Sequence, residues 1–422
     1  MKILVVGLGG VTAAFRNWPE RIVALDLAKR GHAVRAIGTR DPARPALASR
    51  RETIGGVDVQ RVRSGYWPNR ELAAALADGP APDLIHLMHP RNVLAAQVTA
   101  WAERRAIPTA YTWLGPFHDA YLVDDRERPL DATPRYERLI WDRRQLARRL
   151  RAARSWRQAR DLIRNYRLHM PLARARHLIP CSEFEAQEMR RMGRQQPQTV
   201  VPLWIDLAAV TGEPLQPPAL DYPRPWLLFV GQLTPRKGYD LALRAMPAIL
   251  REHPAATLLM VSGINHAERA EVERIGAELG IADHIAFLGR VDDTALVNLF
   301  RACDAYLTPT RYEGFGLTLL EAMAAEAPIV ASNIPVVSEI VSDGENGLLA
   351  DYDSAEAVAA AALRILGDQA LQARLRAGGR RTCEIWYNPT RLAGQLEAVY
   401  REVIDGAGDR RNEIFRSPGE QI

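Results

Sequence analysis

Two hydrophobic rhythms alternate along this chain, and the alternation occurs in two separate series. Short unbroken apolar runs mark strands buried on both faces, and longer stretches space their apolar residues as helices do. "KILVVGLGG" reads as a buried strand ending in a glycine loop, "NWPERIVALDLAKRG" as a helix and "HAVRAIG" as the next strand. Pro19 suits the first helical turn, Glu20 suits its positive end, and Gly31 behind Lys29 and Arg30 is a C-terminal stop. Such a βαβ unit predicts a parallel sheet. "PDLIHLMH" and "IPTAYTWLG" are further strands around the helix-like "RNVLAAQVTAWAERRA", and "HLIPCS" and "TVVPLWID" close the first series.

A stretch with five prolines between Thr211 and Trp226 then interrupts both rhythms and reads as an interdomain linker. The second series starts at "WLLFVGQL" and continues through "ATLLMVSG", "HIAFLG", "AYLTP", "APIVAS" and "NGLLA", with helical patterns between. The expected architecture is α/β, with two Rossmann-like, doubly wound domains facing a cleft. The boundaries are a first domain over 1–208, a linker over 209–225 and a second domain over 226–385. A helix over 386–406 is expected to return to the first domain, and 407–422 reads as a frayed tail.

One segment departs from this plan. Between Arg135 and His177 lie fourteen arginines and three acids. Leu139, Leu146, Leu150, Ala153, Trp156, Ile163 and Tyr166 read as a helical stripe. Two readings stand: a solvated arm packed on the first domain, or a basic amphipathic surface for anionic lipid or a phosphorylated acceptor.

Composition narrows the class. At 422 residues, 47% hydrophobic and 25% charged, the chain suits two or three globular domains. The net charge of +5 argues little about partners, and no nucleic-acid role is expected. Cys181, Cys303 and Cys383 have neither disulfide-framework nor zinc spacing, which fits a reducing cytosol. No run approaches the ~20 apolar residues that span a bilayer. A cytoplasmic protein is expected, with any membrane contact peripheral, at the inner surface. The only lysines are Lys2, Lys29 and Lys237, so Lys237 needs its own explanation.

"PTRYEGFGLTLLEAMA", from Pro309 to Ala324, supplies one. A helix starting near Gly316 leaves its first amides without intrahelical partners, and Gly314 and Gly316 let an anion approach them. Lys237 and Arg236 follow the first strand of the same domain, and such loops converge at the carboxyl edge of a doubly wound sheet. Glu313 and Glu321 would repel a phosphate, so they suit the hydroxyls of sugars on either side of it. Together these parts describe a nucleotide-sugar. The plain alternative is a helix-capping Glu313 and an exposed Glu321.

"RYEGFGLTLLEAMAAEAPIVASNIPVVSEIVSDGENGLL" resembles the donor-site signature of the retaining glycosyltransferases of family four, which have a GT-B fold. "FVGQLTPRKG", "IAFLGRV" and "LAKRGHAV" are similar to its other landmarks, in order. The resemblance implies that Glu313 contacts the transferred sugar and Glu321 the ribose, and that Lys237 holds the diphosphate. It implies backbone donation by Phe315, Gly316 and Leu317, Arg290 near the base, and approach of Gly9 and Gly10 from the first domain. It also implies transfer with retention, needing no protein nucleophile, metal or other cofactor. Uridine diphosphate sugar is the first donor expected and guanosine diphosphate mannose the second. The acceptor is left open among a glycan, a lipid carrier and a small molecule.

The departures from the pattern concern mainly the acceptor. Gln232 stands where an arginine is usual, with Arg236 a candidate replacement, and Glu326 stands where glycine is common. Leu114 holds the place of the usual histidine, which makes His118 the acceptor-side candidate. "PLWID" from Pro202 to Asp206 replaces the usual "PNGVD". A nucleotide-sugar epimerase of the same fold and a non-catalytic nucleotide-sugar-binding partner protein therefore stay open. His86 and His89 fall on opposite faces of a strand, which argues against a joint metal site. A dinucleotide oxidoreductase is disfavoured because Thr12 takes the last glycine position of the phosphate motif.

Overall fold

The computed structural model of the chain describes residues 1–9, 11–13, 16–63, 65, 70–89, 92–114, 136–212, 216, 218–263 and 266–406. Gly10 and His118 lie outside the described residues. Met1–Leu203, joined by the chain from Pro389, forms one compact unit, and Trp204–Asn388 forms the other.

The first unit holds seven strands: β1 (Lys2–Val6), β2 (Ala33–Thr39), β3 (Arg51–Ile54), β4 (Val57–Val62), β5 (Leu84–Met88), β6 (Thr109–Thr112) and β7 (His177–Leu178). Their order is β3-β4-β2-β1-β5-β6-β7, parallel except where β3 meets β4. The second unit holds β8 (Trp226–Val230), β9 (Thr257–Val261), β10 (Ile285–Gly289), β11 (Ala305–Thr308), β12 (Ile329–Ser332) and β13 (Leu348–Ala350). Their order is β10-β9-β8-β11-β12-β13, and every pairing is parallel. Each sheet reverses its winding once, between β1 and β5 in the first and between β8 and β11 in the second. Loops that leave the carboxyl ends of two such strands diverge to opposite sides, which makes room for a ligand.

The apolar run "TVVPLWID" is extended but forms no named strand. Thr199 and Val201 donate to the carbonyls of Leu178 and Pro180 at 3.1 and 3.0 Å, and there the pairing stops. The partner segment turns at Ser182 into the Glu183–Arg191 helix, whose Ala186 amide donates to the Ser182 carbonyl, so the ladder has no further rung. The proline-rich stretch is fastened to the second unit. Leu207–Gly212 is helical, Arg301 donates to the Val210 carbonyl at 2.6 Å, and the Gln216 amide donates to Asn298 at 3.1 Å.

The last helix, Pro389–Asp405, packs on the Pro19–Lys29 helix and on β5 and β6 of the first unit. Its Tyr400 hydroxyl is hydrogen-bonded to His86 Nδ1 at 2.6 Å, and His86 Nε2 to Thr112 Oγ1 at 2.8 Å. This chain of three buried polar groups satisfies each member within the apolar interior.

The arginine-rich arm is two helices. Asp142 caps Arg143–Arg151 and Ser155 caps Trp156–Arg174, each by accepting from an amide of the first turn. The break over residues 152–155 resets the helical register, so one stripe cannot run through both. Leu139 and Tyr166 are buried as expected, but Trp156 is 78% exposed. The buried half of the second helix, including Tyr166, Leu168 and Met170, packs on the Val93–Glu103 helix and β6. No helix among the described residues is long and apolar enough to cross a membrane.

Candidate functional site

In the second unit the loops after β8 and β11 leave neighbouring strands at the point of reversed winding. They carry the residues singled out from the sequence. The β8 loop turns through Pro235–Lys237 into Gly238, whose φ of +70° starts the Tyr239–Glu252 helix. A Cβ at Gly238 would lie 1.8 Å from the Pro309 carbonyl oxygen, so only glycine admits this approach. The Arg311 amide donates to the Arg236 carbonyl at 2.8 Å, and Thr310 Oγ1 donates to the Arg236 carbonyl at 3.0 Å. The Arg311 guanidinium grips Asp240 through two bonds of 2.7 Å and reaches Asp353 at 2.6 Å. Its hydrogen bond to Asp240 pushes the Arg311 pKa above the ordinary arginine range.

On this frame three charged groups meet. Lys237 Nζ donates to Glu313 Oε1. Arg236 Nη1 donates to the Tyr312 carbonyl at 3.0 Å and lies 3.6 Å from Glu313 Oε2. Thus Arg236 presents a second cation to the acid. Gln232 is exposed, with its carbonyl accepting from the Thr234 amide at 2.9 Å.

Gly316 has φ +107° and caps the Leu317–Ala324 helix, and the Phe315 ring is anchored in the interior against Tyr387 at 6.0 Å. The amides of Gly314, Phe315, Gly316 and Leu317 donate to no acceptor among the described residues. They form a nest of donors at the positive end of a helix. Glu321 lies on the second turn of that helix. Burial raises the Tyr306 phenol above its ordinary pKa, and the charges of Glu313 and Glu321 add to the rise.

Arg290 belongs to another loop of the same sheet. It follows β10, exposed, with Nη2 3.2 Å from where a Cβ of Gly263 would stand, and so lies at the edge formed by β9 and β10. Glu326 adopts φ +60°, the backbone conformation that makes glycine common there. Arg380 holds its carboxylate at 2.9 Å, and Arg376 donates to its carbonyl at 2.6 Å.

At the corresponding place in the first unit, the described glycines of the loop after β1 face side chains of that unit. A Cβ at Gly9 would meet the Trp18 indole at 2.7 Å, and one at Gly7 would meet Glu20 at 2.1 Å. Glu20 is fully buried and lies 2.8 Å from His89 Nε2. His89 itself has φ +71°. Sequence parity separates His86 from His89, and the structure gives them different partners. The Glu20–His89 pair has no sequence signal, because its members lie 69 residues apart on different elements. Leu114 has φ +54°, and its amide donates to the buried Glu185 carboxylate at 3.2 Å.

Gly238, Arg311 and Asp240 were also missed by sequence reasoning. The lysine–glycine pair at 237–238 marks the turn, but the contact with Pro309 that demands glycine appears only in three dimensions. Asp292 caps the Asp293–Ala302 helix by accepting from the Ala295 amide at 2.8 Å, as its sequence position suggests.

Residues 215–382 match the model of the glycosyl transferases group 1, and residues 23–209 match that of glycosyltransferase family 4. The chain is 34% identical over 214 residues to a phosphatidyl-myo-inositol mannosyltransferase of Mycolicibacterium smegmatis, covering 49% of this chain and 52% of that one. It is 30% identical over 265 residues to the lipopolysaccharide core biosynthesis mannosyltransferase LpsB of Rhizobium meliloti, covering 58% of this chain and 75% of that one. The chain spans about half the length of the mycobacterial relatives it matches. Among solved structures, sucrose-phosphate synthase from Thermosynechococcus elongatus aligns with a TM-score of 0.67 at 23% identity, over 96% of this chain and 99% of that one. HepE of Anabaena, solved with UDP-glucose, aligns with a TM-score of 0.67 at 18% identity, over 95% of this chain and all of that one. These likenesses establish the GT-B fold.

Proposed function

The chain belongs to glycosyltransferase family four, the glycosyl transferases group 1, and on that basis we propose that it transfers a sugar from a nucleoside diphosphate sugar to an acceptor hydroxyl. The observation that carries this reading is the junction of the β8 and β11 loops. It sets Lys237, Arg236 and Glu313 together beside four amides that donate to no acceptor among the described residues, with Glu321 on the second turn of the helix those amides begin.

In the proposed reaction the amides and Lys237 take the diphosphate. Glu321 accepts from the ribose hydroxyls and Glu313 from those of the transferred sugar. Glu313 then exchanges its bond with Lys237 for bonds to substrate, which frees the ammonium for phosphate. The bond between the anomeric carbon and the diphosphate oxygen breaks while the acceptor oxygen bonds to that carbon on the same face. The acceptor proton passes to the departing phosphate oxygen. Configuration is therefore retained and no protein nucleophile is needed. Leaving-group charge is met by Lys237, Arg236 and the amides, which lets the step proceed without a metal.

A UDP-sugar is the first donor proposed, supported by the complex of HepE with UDP-glucose. GDP-mannose is the second, supported by the names of the mannosyltransferase relatives. A glycan, lipid carrier or small molecule provides the acceptor hydroxyl. The proposal includes a cytoplasmic site of action with peripheral contact at an anionic membrane through the arginine-rich arm. The test is incubation with UDP-glucose or GDP-mannose and a panel of such acceptors, with NMR of the new anomeric centre. Retention is expected. An inverted product, or a free nucleotide-sugar epimerised without any acceptor, would overturn the reading.

A further inference from the structure

The arm carries far more charge than its packing requires. Residues 143–164 contain nine arginines and one acid, Asp161, a net charge of +8. All of these arginines except Arg149 are exposed. Arg149 is fixed instead, donating to the carbonyls of Arg138 and Glu137. Trp156 is 78% exposed, the most exposed large hydrophobic side chain among the described residues. Trp156, Arg160 and Arg164 recur at every fourth position of one helix and so share its outward face, with Arg157 beside them. Tyr166 and Met170, farther along the same helix, are buried. Between the two helices lies a cavity of about 420 Å³ whose lining includes Arg138, Arg149, Ser155, Arg157 and Asp161.

We propose that this helical hairpin is an interfacial anchor for an anionic phospholipid surface. The Trp156 ring enters the headgroup layer, the outward arginines pair with lipid phosphates, and the cavity receives one headgroup phosphate among its arginines. Charge complementarity selects an anionic partner. The indole selects a lipid surface, because its apolar body and polar N–H suit the boundary between headgroups and acyl chains. A single-stranded nucleic acid would call instead for several stacking rings along the basic groove. The proposal rests on the peripheral membrane contact in the reading above and narrows it to one face and one residue.

The test is co-sedimentation of the full chain with vesicles of equal parts phosphatidylcholine and phosphatidylglycerol, against pure phosphatidylcholine. Binding to the mixed vesicles alone is expected, weakening as salt rises. An arginine near such a surface is worth about fivefold in binding. Joint Arg157→Gln, Arg160→Gln and Arg164→Gln replacement should therefore weaken partition about 100-fold. Trp156→Ala should weaken it about tenfold, with Trp156→Phe recovering part of the loss. Soluble glycerol phosphate should not displace the protein from the vesicles.

No partition into anionic vesicles, or partition unchanged by both the arginine and the Trp156 replacements, overturns the proposal. So does displacement from the vesicles by single-stranded RNA at lower concentration than by salt. The replaced residues are exposed, and thermal melting checks that each variant folds. Titration of the same samples with nucleoside diphosphates keeps the two claims apart. Vesicle binding without nucleotide binding sinks the transferase reading alone, and the reverse sinks the anchor alone.

Discussion

The two sheets reverse their winding at equivalent places and use them in opposite ways. At the β8–β11 junction, two loops are clamped together from behind by Gly238, Thr310 and Arg311, and the front is left with cations, acids and unengaged amides. At the β1–β5 junction, Trp18 and Glu20 press against the glycines, and buried Glu20 lies 2.8 Å from half-buried His89. The doubly wound fold supplies a position; side chains decide whether it becomes a ligand cradle or part of a core. Substitutions on the front of the first place should therefore register in ligand binding, and those in the clamp behind it or around the second place in stability.

The sharpest way to break this contrast is Gly238→Ala. The substitution forces a side chain into the left-handed region and onto the Pro309 carbonyl. A loss of about 3 kcal/mol or more is expected in chemical denaturation, together with loss of nucleotide binding. An unaltered denaturation midpoint would mean that the loops are not held by this approach.

The first unit offers a pH test. Burial lowers the pKa of His86 from 6.5 to about 3, and that of His177 from 6.5 to about 4. Below pH 6.5 the unfolded chain takes up protons that the folded chain refuses. Stability is thus complete above pH 6.5 and falls as the pH drops towards 3 for His86 and towards 4 for His177. The slope approaches about 1.4 kcal/mol per pH unit for each histidine. Tyr400→Phe removes the partner of His86 Nδ1 and should cost about 1–2 kcal/mol at neutral pH. Thermal unfolding across this pH range measures both, and a flat wild-type profile between pH 6.5 and 4 would contradict the buried neutral imidazoles.

A finer division concerns the two acids. Glu321→Ala should weaken nucleotide binding about tenfold, through loss of hydrogen bonds to a charged group. Glu313→Ala should chiefly lower turnover. Calorimetry beside steady-state kinetics separates them, and the reverse pattern would exchange the ribose and sugar positions. The smallest effect expected is at Glu326, where glycine relieves the φ of +60° and gives up an ion pair with half-exposed Arg380. Glu326→Gly should change stability by no more than about 1 kcal/mol, towards greater stability, in denaturant unfolding.

Much of the fold was legible because strands buried on both faces appear as uninterrupted apolar runs, as at "WLLFV" and "TLLMV". The same rule misread "TVVPLWID", where the pattern was apolar but the neighbouring segment turns into a helix at Ser182 and leaves the ladder no further rung. Helical periodicity found the arm yet carried Trp156 into the buried stripe, since a short break between two helices is silent in composition. Lys237, Glu313 and the glycines at 314 and 316 were recoverable because their spacing within each loop is local. The clamp behind them was not. Gly238 with Pro309 and Arg311 with Asp240 join points about 70 residues apart, and only the sheet order brings them together.

Calorimetric titration with uridine, guanosine and adenosine diphosphates, on the wild type and on Lys237→Ala, tests the central claim most directly. The account predicts that one diphosphate binds tightly and that Lys237→Ala weakens it roughly 10- to 150-fold, the worth of one charge-assisted hydrogen bond. Binding of none of the three to the wild type, or equal binding to both proteins, would contradict the assignment of the β8–β11 junction as the donor site.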